Sequence, residues 1–269
     1  MVFFPNCKIN LGLTILRKRE DGFHDLETVF YPLPLKDALE LIRSDRLRLT
    51  TTGITVPGDE SDNLCWKAWH LIKKDFPDLP PVDIFLHKRI PIGSGLGGGS
   101  SDGAQMLLSL NTIFGLQMDA DRLLDYAARL GSDCPFFILN RPCLGGGRGE
   151  RLEPVALDLS GYSFVLINPG IHVSTARAFS LCVPDPERRP LKDIISQPVK
   201  TWKGNLINDF EEPIFREHPS LQRIKEQLYA QGAIYASMTG SGSGFFGIFE
   251  KGTVPSLNFD ADHEVIPLT

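Results

Sequence analysis

Residues 93–99 of this chain include five glycines (Gly93, Gly95, Gly97, Gly98 and Gly99), interrupted only by Ser94 and Leu96. Each glycine gives up more backbone freedom on folding than any other residue, so such density needs a reason. It makes sense where the backbone must approach something closely. Upstream, Val82, Ile84 and Leu86 alternate in a strand that ends near Lys88. Downstream, Ser100, Ser101 and Asp102 open an apolar helix that runs to about Phe114. A glycine turn between strand and helix offers exposed N–H groups and the positive end of a helix dipole, a setting that suits an anion such as phosphate. Ser100 and Ser101 add hydroxyls fit for a phosphate oxygen or a Mg²⁺ ion. A flexible linker is the bland alternative, and the flanking strand and helix argue against it.

Two familiar phosphate loops compare with it. A Walker A loop closes on Gly-Lys-Ser/Thr, which is absent here. The dinucleotide pattern G-x-G-x-x-G is present at Gly93, Gly95 and Gly98, with Asp119 where a ribose-binding acid is sought. That loop normally follows the first strand, whereas this one lies far into the chain. An NAD-binding oxidoreductase therefore stands beside a nucleotide-dependent kinase and a non-catalytic nucleotide-binding module.

The remaining sequence excludes other classes. The net charge is -5 and Lys and Arg do not cluster, which argues against nucleic acid. Cys7, Cys65, Cys134, Cys143 and Cys182 are odd in number, widely spaced and free of C-x-x-C, so neither a disulfide framework nor a zinc site is expected, and a reducing cytoplasm is the natural compartment. Neither a signal-peptide pattern nor an apolar run of about 18 residues occurs, so no membrane span is expected.

Near the N-terminus, Cys7, Ile9, Leu11, Leu13 and Ile15 alternate with Lys8, Asn10, Gly12 and Thr14. This is a strand with one buried face, and Lys8 and Asn10 share the other, toward solvent or a cleft. Strands are also expected around 26–33, 38–43, 46–51, 162–167, 233–238 and 245–249. Helices are expected over 63–76, capped by Ser61-Asp62, over 121–130, ended by Gly131, and over 219–231. Ser174 or Thr175 caps a short helix, and 184–198 is loop with one helical turn. The length permits one large domain or two modest ones, and two domains are expected, at 1–155 and 156–269.

Pro91-x-x-x-Gly95-Leu96-Gly97, followed by Gly98-Gly99-Ser100-Ser101, resembles the Pro-x-x-x-Gly-Leu-Gly-Ser-Ser signature of the GHMP kinases, the superfamily of galactokinase and of homoserine, mevalonate and phosphomevalonate kinases. The extra glycines are similar to the branch that acts on a cytidine diphosphate-linked methylerythritol in the non-mevalonate isoprenoid pathway. Cys7-Lys8-Ile9-Asn10-Leu11, Arg19-Glu20-Asp21-Gly22-Phe23-His24, Gly131-Ser132-Asp133-Cys134-Pro135-Phe136-Phe137, Gly147-Arg148-Gly149-Glu150 and Met238-Thr239-Gly240-Ser241-Gly242 resemble further motifs of that branch in the same order. Phe23 stands where Tyr is usual and Gly103 where Ala is usual. Residues 254–262 lack the pattern of a helix expected before a last strand.

The resemblance implies an α+β, two-lobed GHMP fold, with an N-terminal ribosomal-protein-S5-like lobe, a C-terminal ferredoxin-like lobe and the site between them. It implies an ATP-dependent phosphotransferase with an alcohol acceptor, using ATP and Mg²⁺, whose metal ligands it does not assign. ATP is expected at Asn63 and Lys88 near adenine, and at Pro91, Gly93, Ser94, Gly95, Leu96, Gly97, Gly98, Gly99, Ser100 and Ser101. Asp133 is the expected base and Lys8 its cationic partner. Asn10 fixes a substrate hydroxyl or diphosphate, His24 reads the cytosine edge, Phe23 and Phe179 sandwich the ring, and Thr175, Thr239 and Gly240 line the substrate site. Without the resemblance, Asp133 reads as a turn or capping residue, Lys8 and Lys88 as solvated strand lysines, Phe23 and Phe179 as core, and residues 239–242 as a plain hairpin turn. The partner expected is a small molecule, with no nucleic acid and no membrane; a monomer and a weak dimer both fit.

Overall fold

A computed structural model describes residues 1–253, 259–260 and 262–268. The question of a helix within 254–262 thus falls largely outside the described residues. The chain opens with strands β1 (Val2–Phe3), β2 (Asn6–Lys18), β3 (His24–Lys36), β4 (Ala38–Arg43) and β5 (Arg48–Gly53). Helix α1 (Leu64–Asp75) and β6 (Val82–Lys88) follow, then α2 (Gly98–Phe114), α3 (Ala120–Leu130) and α4 (Cys134–Leu139). Next come β7 (Cys143–Gly146), β8 (Arg151–Pro154), β9 (Tyr162–Asn168), α5 (Thr175–Leu181), α6 (Leu191–Ile195), α7 (Glu211–Glu217) and α8 (Pro219–Ala230). Strands β10 (Tyr235–Met238), β11 (Phe245–Glu250) and β12 (Glu264–Leu268) complete the described elements. They form two compact units: Met1–Lys8, Pro32–Ile92 and Gly97–Arg141 make the first; Ile9–Tyr31, Gly93–Leu96 and the chain from Pro142 onward make the second.

In the first unit the sheet order is β1-β4-β6-β5. β4 is antiparallel to β6 and β5 is parallel to it, so the connection carrying α1 is a crossover. α1 is capped by Asn63, whose side chain accepts from the Cys65 N–H at 2.9 Å, and not by Ser61-Asp62, which lie in a 3-10 turn. Asn63 has the extended backbone of a cap and a short acceptor that reaches the second N–H onward. Cys65, Ala68, Trp69 and Ile72, spaced three and four apart, form its buried stripe. α2 starts at Gly98, two residues before its expected start, because Gly97 in the left-handed region (φ 73°) turns the chain directly into the helix. Residues 135–139 fold into helix, as α4, with Pro135 in the first turn where its missing N–H is no loss.

In the second unit, one sheet runs β2-β3-β7-β8 and the other β10-β11-β9-β12. The latter is antiparallel at every pairing. Leu221, Ile224 and Leu228 of α8 are buried together with Ile214, Met238, Phe245 and Phe249. Helix α7 has no counterpart in the sequence-based expectations: it is short and carries Pro213, so periodicity does not reveal it. β2 corrects the one-buried-face expectation. Its odd-numbered residues 7 to 15 are buried, but so are Lys8, Asn10 and Thr14.

All five cysteines are free. Burial is the main cause that pushes the Cys7 and Cys134 thiols up to about 12. A thiol reagent at pH 8 is therefore expected to leave both unmodified in the native protein, with mass spectrometry as the readout. Rapid labelling of either would show that the side chain reaches water.

Candidate active site

In the first unit, Lys8 Nζ lies 3.1 Å from a carboxylate oxygen of Asp133. The lysine side chain is 3% exposed and the aspartate side chain 32%, so the ammonium is buried while the carboxylate is reachable. Asp133 occupies the cap position of α4 but makes no capping bond through its side chain. Its carboxylate faces Lys8 instead, which removes the plain capping reading. Burial likewise removes the solvated-lysine reading of Lys8. A Cβ on Gly97 would lie 3.0 Å from Lys8 Cε and 3.0 Å from Phe137 Cζ, so the lysine stem lies against the start of α2. No side chain caps α2, which leaves its first-turn N–H groups for an anion. That donor set fits ATP phosphates. The Ser101 side chain is buried and Ser100 is half-buried.

Lys88 is not a solvated strand end. Its side chain is 3% exposed, and its ammonium lies between the carboxylates of Asp37 and Asp102, the latter at 2.6 Å. Burial opposes its charge, but the two carboxylates outweigh burial and hold the ammonium above the ordinary lysine value. Asp37 also accepts the backbone N–H groups of Arg89 at 2.5 Å and Ile90 at 2.9 Å. Burial raises the Asp102 carboxyl, with Lys88 opposing and Asp37 adding to the shift. Neither aspartate stands out in the sequence: Asp102 reads as a helix-opening residue, and Asp37, between Lys36 and Ala38, belongs to no motif. Asn63 uses its side-chain oxygen on α1, as described above.

In the second unit, the turn after β10 is more than a hairpin turn, because it lies on residues 94–95. Ser94 O accepts from Gly244 N at 3.1 Å, and Gly95 O accepts from Thr239 Oγ1 at 3.3 Å. The backbones approach so closely that a Cβ on Gly95 (φ +77°) would meet Thr239 O at 2.1 Å, and one on Gly244 would meet Ser94 O at 2.3 Å. Asn10 N donates to Thr239 Oγ1 at 3.1 Å, and Asn10 Nδ2 donates to Thr28 Oγ1 at 3.0 Å. Thr28 in turn donates to Gly12 O at 2.6 Å. Asn208, absent from the sequence-based candidates, donates from Nδ2 to Met238 O and to Gly240 O, at 2.8 Å each. It thereby sets the turn that carries Thr239 and Gly240.

The aromatic residues of the second unit also come together. His24 stacks on Phe179, with centroids 5.0 Å apart and planes 19° apart, and Phe179 meets Phe210 edge-on. Burial, then the Lys18 charge, lower the His24 pKa, which favours the neutral ring at pH 7. Phe23 is 52% exposed with the Arg148 guanidinium 4.7 Å from its ring centre, so it is not a core residue. Thr175 begins α5 and its hydroxyl is 2.9 Å from that of Ser241. The dinucleotide reading ends on two points. Asp119 caps α3 through the Arg122 N–H, and β6 pairs with an antiparallel neighbour instead of lying in an all-parallel sheet.

The family model for the GHMP kinases N terminal domain matches residues 63–141, and that for GHMP kinases C terminal matches residues 200–257. A 4-diphosphocytidyl-2-C-methyl-D-erythritol kinase of Parabacteroides distasonis is 48% identical over 253 residues, 94% of this chain and 93% of that one. The chain belongs to the 4-diphosphocytidyl-2-C-methyl-D-erythritol kinase family. It is an ATP-dependent small-molecule kinase of the GHMP group. A second member, from Cytophaga hutchinsonii, is 49% identical over 250 residues, covering 93% and 92% of the two chains. Among solved structures, a 4-(cytidine 5'-diphospho)-2C-methyl-D-erythritol kinase matches at TM-score 0.78 and 36% identity, over 92% of this chain and 90% of that one. Methanococcus jannaschii mevalonate kinase shares the fold at TM-score 0.68 and 12% identity, over 99% and 97%. The α+β GHMP architecture implied by the motifs is thereby established. Among the described residues, no helix is long and apolar enough to cross a membrane.

Proposed function

We propose that this chain phosphorylates the 2-hydroxyl of 4-diphosphocytidyl-2-C-methyl-D-erythritol in the non-mevalonate route to isoprenoid precursors, in the cytoplasm, with Mg²⁺ as the accompanying ion. The observation that carries the chemistry is the Lys8–Asp133 pair beside the uncapped start of α2. Asp133 accepts the hydroxyl proton, because its carboxylate is reachable and not used in capping. Lys8, desolvated and cationic, stabilises negative charge as it develops on the reacting oxygens. The N–H groups at the start of α2 hold the phosphates. Bound Mg-ATP supplies the phosphoryl group and charge neutralisation, and Ser100 is the hydroxyl at the start of α2 best placed in sequence to meet it.

On the substrate side, neutral His24 reads the cytosine edge, since one ring nitrogen donates while the other accepts. Phe179 and Phe23 supply stacking faces, with the base taking a place that the His24 ring holds against Phe179. Asn10, Thr175, Thr239 and Gly240 line the remainder. Phe179→Ala is expected to raise KM for the cytidine substrate about tenfold, the scale of one lost base–aromatic stack, with kcat nearly unchanged. A drop in kcat at constant KM would assign Phe179 to the core instead. The decisive assay is ³¹P NMR of the protein with Mg-ATP and the cytidine substrate. A new phosphomonoester signal that depends on both supports the reading. Its absence while ATP still binds would direct the search to another alcohol.

A further inference from the structure

We propose that Lys88, Asp37 and Asp102 form a positioning strut that holds the phosphate-binding start of α2 against the strand that leads into it. This inference rests on the kinase reading, since it assumes that phosphates bind at the start of α2. The three side chains come from three places in the chain: the end of β6, the β3–β4 connection and the second turn of α2. Asp37 takes the Arg89 and Ile90 N–H groups on one oxygen and the Lys88 ammonium on the other. Asp102 Oδ2 takes the same ammonium from the helix side at 2.6 Å. One cation thus ties the exit of β6 to the body of α2. Gly98, the first residue of α2, shows how close the strut lies: a Cβ there would sit 3.2 Å from Lys88 Nζ and 2.8 Å from Ile90 Cγ2. The ammonium is on the buried side of that turn, with both carboxylates already on it. This gives Lys88 a role other than the adenine contact that family resemblance implies.

The two roles predict opposite results when Asp102 is removed. A lysine that contacts ATP would be released by Asp102→Ala, and ATP affinity would hold or rise. A strut would be broken, and the N–H groups that face the phosphates would lose their alignment. The expected result is about a tenfold loss of ATP and ADP affinity by calorimetry, with adenosine affinity unchanged. Asp102→Asn keeps an acceptor oxygen for Lys88 and is expected to stay within about threefold of wild type. Equal losses for adenosine and ATP would mean a general defect in the fold, and unchanged or tighter ATP binding would make Lys88 a ligand; either overturns the strut. If Asp102→Ala does not fold, Asp37→Asn serves instead, because it keeps the bonds to Arg89 and Ile90 while opposing Lys88, and the same phosphate-selective loss is expected. A wild-type protein that binds no ATP would remove the kinase reading itself, and the strut with it.

Discussion

Asp133→Asn is expected to lower kcat about a thousandfold while ATP affinity and the melting temperature stay near wild type. General base catalysis contributes about 10²- to 10⁴-fold, and a thousandfold corresponds to about 4 kcal/mol in the barrier. The amide keeps the size of the carboxylate and an oxygen for Lys8, so the 3.1 Å contact survives in weakened form. What it lacks is the basicity to take a proton from an alcohol. Stability should be preserved because Asp133 does not cap α4 and is one-third exposed. Turnover within tenfold of wild type would remove Asp133 as the base. Parallel losses in turnover and melting temperature would recast it as structural. Lys8→Met is a harsher change, since it leaves the carboxylate without its cation, and it serves as a comparison only.

Gly95→Ala is expected to damage both stability and turnover. The residue has φ +77°, where an L side chain pays strain, and its Cβ would lie 2.1 Å from the Thr239 carbonyl oxygen. Left-handed backbone alone costs about 1–2 kcal/mol for alanine. The clash is with backbone, which cannot rotate away, so the turn after β10 must shift. A combined loss of about 3 kcal/mol would lower the melting temperature of a chain this size by roughly 6–12 °C. Turnover falls as well, because residues 94–95 carry the hydrogen bonds that fix Thr239 and Gly244. Gly161→Ala is the control, with open space around it and no left-handed backbone. Equal melting temperatures for the two variants would show that the turn yields to a methyl group.

Part of the candidate site was legible because backbone that must come close leaves marks on the chain. Glycines crowd where backbone must come close, and strand period places Lys8 and Asn10 on one face. The architecture of paired units came through the motif order, not through periodicity. What the sequence hid was partnership. Nothing near Asp37 or Asp102 in sequence says that both turn to Lys88. Asn208 lies among ordinary loop residues, yet its amide holds the Thr239–Gly240 turn from 30 and 32 residues away. Isolated polar residues acquire such roles only when the fold brings distant backbone to them. The buried state of Lys8 follows the same rule: alternation places the side chain, but only the tertiary structure supplies Asp133.

The hydroxyl of Thr28 has consequences for what Asn10 can recognise. A hydroxyl owns one hydrogen, and Thr28 gives it to Gly12 O. It must therefore receive from Asn10, which directs the amide nitrogen inward and turns the oxygen toward Thr239 and Gly240. Under the proposed reading, in which Asn10 lines the substrate site, this polarity suits a sugar-like alcohol, which brings its own hydrogen, over a phosphate oxygen.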